Sequence, residues 1–235
     1  MNFNSAILPA ALAAGLLASP ALAVPYSLTF DGDICSSGNG PLGPCTDASG
    51  IDQSYGDVPG VVDVLYGNRN DPSVIGDNVL GQLAFWGPDY GDLTNVAYGV
   101  QSNAVAIILR PLNGLLMTLI SFDLAGFLSD YESQVTIEDG NGNVLTSTGA
   151  ITVPGVGRQT FSNPGNWSSL DEIRIIWGPD GYNVGIDNIN FTVTAALPPI
   201  DPNDPTTPAI PLPAAGWMMI AGIGALAALR RRRKA

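Results

Sequence analysis

The sequence predicts an all-β domain built as a two-sheet sandwich, and three observations lead there. Apolar residues recur with period two in short runs bounded by Gly, Pro, Asn and Asp from Tyr26 to Val193. No ten residues of that region form a helical apolar stripe free of Gly or Pro. With 28 Gly and 19 Pro at 46% hydrophobic and 13% charged, the composition is that of many turns around a core, not of a disordered chain. The domain, residues 24–197, is long enough to bury roughly 70% of its unfolded surface in a single core.

Ten strands are expected in order: YSLTFD (26–31), VVDVLY (61–66), QLAFW (82–86), AVAIILR (104–110), MTLISFDLAGF (117–127), QVTIED (134–139), NVLTST (143–148), RQTFS (158–162), EIRIIW (172–177) and GIDNINFTV (185–193). Between the first two, Cys35 and Cys45 enclose SSGNGPLGP, a loop with little order of its own. With no His to complete a metal site, the two cysteines are expected to pair in an oxidising compartment. Asp139-Gly140-Asn141-Gly142 supplies the positive-φ residues of a tight hairpin. Asp139, Asn141 and Asn143 also resemble the start of a calcium loop, but the required Gly and distant Glu are out of place, so a hairpin alone is expected.

The ends have their own character. Ala6–Ala18 is apolar, Pro20 breaks it, and Ala21-Leu22-Ala23 offers a small-x-small site, so residues 1–23 read as a signal peptide cut by signal peptidase between Ala23 and Val24. LPPIDPNDPTTP leads into a Pro-rich linker, 198–209. Then come Ile210-Pro211-Leu212-Pro213-Ala214, an apolar run over 214–229, and the basic tail Arg230, Arg231, Arg232, Arg233 and Lys234. As a helix the run reaches ~24 Å, a short but usable transmembrane span. The cations hold its end in the cytoplasm and place the rest of the chain outside.

Motif, span and Arg cluster together closely resemble the VPLPA variant of the PEP-CTERM sorting signal of Gram-negative bacteria, with Ile210 where that variant usually has Val. The resemblance implies a partner, an exosortase-like membrane transpeptidase that cuts near the motif, and a final place at the cell surface or in the extracellular matrix. ISFDLAGF, the DGNGN hairpin, DEIRIIW and GIDNINF further resemble the jelly-roll ectodomain that often precedes such tails. That likeness implies a galactose-binding-like or carbohydrate-binding-module-like sandwich.

Charge excludes several functions. Residues 24–209 carry all 21 carboxylates against four arginines, a net of −17 with no lysine. Such a field repels nucleic acid and anionic lipid and suits solubility or a divalent cation. Without His or Lys, Ser and Cys nucleophiles lack their usual bases. A glycan-active enzyme would need Glu132, Glu138 or Glu172, none set in a motif, so no catalytic residue is assigned.

Period two from Ile189, Phe191 and Val193 places Asp187 on the inward face, where a carboxylate needs a partner. In the jelly-roll families that the chain resembles, a calcium ion joins first and last strands, and Asp31, Asp33 and Asp187 are its candidate ligands here. Among Trp86, Tyr90, Trp167, Trp177 and Tyr182, the rings in or near loops, Trp177 falls in step with Ile173 and Ile175 as core. Trp86 and Trp167 are the better candidates to stack on sugars. The sequence reading is an exported, non-catalytic surface protein associated with exopolysaccharide; a purely structural or adhesive role is the alternative.

Overall fold

The computed structural model describes residues 22–36, 42–68, 83–100 and 104–195. The signal peptide up to residue 21, the linker over 198–209, the sorting motif, the span over 214–229 and the basic tail lie outside the described residues.

Among the described residues, twelve antiparallel strands form two sheets. They are β1 (Val24–Leu28), β2 (Val62–Asn68), β3 (Leu83–Trp86), β4 (Val96–Gly99), β5 (Val105–Pro111), β6 (Leu115–Gly126), β7 (Tyr131–Asp139), β8 (Val144–Val153), β9 (Gln159–Ser162), β10 (Ser168–Ser169), β11 (Ile173–Gly178) and β12 (Val184–Ala195). The five-stranded sheet runs β2-β5-β11-β7-β8. The seven-stranded sheet runs β10-β6-β12-β4-β3, with β1 also on β12 and β9 also on β6. All ten expected strands are present with shifted ends. β4 and β10 were not expected: VAYG is only four residues long and β10 is two serines.

The two long strands β6 and β12 are the spine of the larger sheet, each long enough to take two shorter partners along one edge. Inward side chains of both sheets meet in one core that includes Val64, Ile107, Leu109, Ile137, Ile173, Ile175 and Trp177 on one side and Met117, Leu119, Phe122, Leu124, Ile186, Ile189 and Phe191 on the other. Burial of such side chains, worth about 1.5–3 kcal/mol each, is what fixes strand register.

Alternation fails where the spine is irregular. β12 turns inward at Val184 and Ile186, then at Ile189, Phe191 and Val193. An extra residue enters between Asp187 and Asn190, with Asn188 in the left-handed region at φ 52°. β6 answers with Ile120, skipped between the pairs Asn190↔Ser121 and Phe191↔Leu119 and 42% exposed. The sequence expectation for Asp187 is therefore corrected: it shares no face with Ile189. It pairs with Asp123 on the outer face, one residue from the inward Ile186–Leu124 pair.

The Cys35–Cys45 disulfide is formed, with Cα atoms 5.2 Å apart. The 139–142 turn is a hairpin in which Asp139 Oδ1 accepts the Asn141 and Asn143 N–H groups, both at 2.9 Å, and Gly142 takes φ 79°. These bonds, with the Asn143 side chain foremost, hold the Asp139 carboxyl below its ordinary range.

Candidate functional site

The outer face of the seven-stranded sheet gathers most of the candidates. Trp86 is the register partner of Val96, Ala97 that of Ile186, and Asp187 that of Asp123, so Trp86 and the Asp187–Asp123 pair are carried on one face, with β4 between their strands.

At the Trp86 end the rings form a shelf. Trp86 stands edge-on to Tyr98 at 5.9 Å and to Phe127 at 5.4 Å between centroids, and Tyr98 meets Tyr182 at 5.7 Å. Tyr90 packs beneath, 5.2 Å from Phe127, and its hydroxyl donates to the Tyr182 carbonyl at 2.7 Å. Burial raises the Tyr90 hydroxyl well above its ordinary range and pushes that of Tyr98 up, so both stay protonated. A small floor makes this packing possible, because a Cβ on Gly185 would meet Val96 Cγ2 at 2.7 Å and Tyr90 Cδ1 at 2.9 Å. Tyr98 is buried, Trp86 is half-buried and Tyr182 is 45% exposed, so the shelf presents ring surface to solvent at Trp86 and Tyr182.

The other end is acidic. Asp123 accepts Thr160 Oγ1 at 2.6 Å and Asn188 Nδ2 at 2.9 Å and pairs with Arg158 Nε at 3.3 Å. Asp187 is 5% exposed and accepts the Asn188 N–H at 2.6 Å. Burial, helped by Asp31 and Asp123 and opposed by the Asn188 N–H and Arg158, raises its carboxyl to about 7. Asp31 is exposed and receives the Asn95 side-chain amide; Asp33 is exposed. Among the described residues no three acidic, His or Cys side chains are grouped so as to hold a metal ion. At Asp123 the positive charge is supplied by Arg158.

Trp167 is corrected as a sugar platform. It is 3% exposed in the core, 6.0 Å from Phe122, with its indole N–H donated to Thr146 Oγ1 at 2.8 Å. The loop that carries it folds back over β8, which the Gly/Pro/Asn surroundings did not reveal. Trp177 is core as expected, donating to the Val184 carbonyl at 2.8 Å. The glutamates are engaged structurally. Glu172, 7% exposed, lies between Arg110 Nη2 at 3.4 Å and Arg174, Glu132 accepts Thr152 Oγ1 at 2.8 Å, and Glu138 is buried on β7.

Tyr98, Phe127, Asp123 and Arg158 are the members of this face that sequence reasoning missed. The Val96/Tyr98 alternation in VAYG was the one available signal.

No family model matches the chain, and no curated protein matches it. Among solved structures it is similar to a chain described as CBM4, at 11% identity and TM-score 0.28 over 62% of this chain and 90% of that one. It is also similar to a GH26-CBM35 β-(1,4)-mannanase of Podospora anserina, at 16% and 0.31 over 63% of this chain and 32% of that one. A family 11 carbohydrate-binding module of Clostridium thermocellum follows, at 14% and 0.25 over 62% and 91%. Likenesses of this size assign neither ligand nor site.

Proposed function

We propose that this chain is an exported, non-catalytic surface protein whose jelly-roll-like sandwich contacts exopolysaccharide through the Trp86–Tyr182 shelf, and whose C-terminal motif delivers it to an exosortase-like enzyme. One observation carries the glycan reading. Of the three tryptophans in the described residues, two are spent on the core, while Trp86 stands with the exposed Tyr182 on an aromatic platform at the surface. Flat rings whose neighbours fix their orientation bind a sugar face at little entropic cost. Export is supported by the disulfide, which suits an oxidising compartment, and by the order of motif, apolar run and basic tail in the sequence.

Affinity electrophoresis through gels containing polysaccharides of different composition tests the glycan reading. Retardation by at least one polymer is expected, with Trp86→Ala and Tyr182→Ala each weakening it roughly tenfold, about 1.4 kcal/mol. A folded protein that no polymer retards, or whose retardation survives both substitutions, favours the purely structural or adhesive role.

A further inference from the structure

The charge around the shelf is one-sided, and it bears on which polymer the proposed glycan surface takes. Asp47 is exposed, accepts the Gly87 N–H next to Trp86 at 2.9 Å and acts electrostatically on the Tyr98 hydroxyl. Asp89, exposed on the loop that leaves β3, accepts the Leu128 N–H through its carbonyl at 2.9 Å, beside Phe127. Asp180 accepts Asn183 Nδ2 at 2.9 Å, which holds the turn bearing Tyr182, and acts on Tyr90. Two carboxylates, those of Asp47 and Asp180, thus act on the rings.

The cations are held by other carboxylates. Among the described residues they are three arginines. Arg110 and Arg174 meet at Glu172 on the other sheet, and Arg158 is held by Asp123 and Asp92. No ion pair of the described residues involves Asp47, Asp89 or Asp180.

From the ring platform and its acidic border we infer that the polymer taken by the Trp86–Tyr182 shelf carries free amino groups, as a de-N-acetylated hexosamine chain does, and not uronate carboxylates. An ammonium beside a ring is attracted by the ring's face and by the neighbouring carboxylates, and both attractions act at a water-exposed surface without burying a charge. A uronate polymer approaches a segment of net charge −17 and meets the same carboxylates as repulsion. This inference rests on the glycan reading of the shelf and adds the charge of its ligand.

Calorimetric titration of the full-length protein in detergent with three probes of equal length separates the two ideas. The probes are a glucosamine hexamer, an N-acetylglucosamine hexamer and a galacturonate hexamer. Tightest binding is expected for the glucosamine hexamer, by roughly tenfold over its acetylated form. That preference shrinks as salt rises from about 50 to 500 mM, because exposed charges are screened. Asp47→Asn, which keeps an oxygen for the Gly87 N–H, lowers the preference at least threefold, whereas Asp171→Asn, an equal loss of charge elsewhere, leaves it. Trp86→Ala removes binding of both hexosamine probes. Equal binding of the two hexosamine probes overturns the amino-sugar inference and leaves the shelf as a glycan site. Glucosamine binding that survives Trp86→Ala overturns it too, since bulk charge then suffices. If no probe binds, the amino-sugar inference is overturned, and the glycan reading stands or falls by the affinity electrophoresis.

Discussion

At the scale of single residues, Asp187 makes the sharpest statement about energetics. Its carboxyl is raised to about 7 in the fold, against about 3.9 when unfolded. The native state therefore holds a proton that the unfolded state has released through the interval between those values, and stability falls as pH rises across it. Unfolding midpoints in urea are expected to be higher near pH 4.5 than near pH 8. Asp187→Asn, which keeps an oxygen for the Asn188 N–H, should flatten that slope and stabilise the protein most at the alkaline end. A calcium ion at Asp31, Asp33 and Asp187 gives the opposite sense. Bound metal requires the ionised form, so calcium would raise the midpoint at pH 8 in the parent and not in Asp187→Asn. A midpoint that rises with pH in the presence of chelator sinks the buried-proton account.

At the scale of elements, the positions of ten strands, the hairpin at 139–142 and the disulfide were legible, while the composition of the outer face was not. Ile189, Phe191 and Val193 declare a period of two, and nothing in DNINF announces that Asn188 steps out of it. A bulge adds a residue without changing composition, so every side chain before it changes face, and Asp187 is read as inward. Trp167 failed for a related reason, because a loop ring is buried or exposed according to what lies beneath it in space. Gly185 shows how closely the elements fit. Gly185→Ala drives a methyl into Val96 and Tyr90, at the point where the 87–95 loop is seated on β12. Overpacking of this kind costs about 1–3 kcal/mol. Equilibrium unfolding should show that loss, and sugar binding should weaken with it as Tyr90 and its bond to Tyr182 are displaced. Unchanged stability would mean that the loop has another way to lie.

At the scale of the whole molecule, the sequence separates its charges strongly. Every carboxylate lies in residues 24–209, and five of nine basic residues lie in the last six positions. A domain with that field is repelled by anionic lipid, so a lasting place at a membrane has to come from the apolar run with its cationic end. Cutting near Pro211–Ala214 removes the run and the cations together. The product would then be freely soluble and more acidic than its precursor, free to move outward. β1 begins at Val24 and pairs with β12 from that residue on, so cleavage before Val24 leaves the sandwich whole. Intact-mass analysis of envelope and medium fractions is expected to find a chain beginning at Val24 and ending within the 210–214 motif. In a host lacking the transpeptidase, the same chain should retain Ala235 and stay with the membrane. If Ala235 is retained whether or not that enzyme is present, the tail is an ordinary anchor, and the sandwich acts where it is made, at the outer face of that membrane.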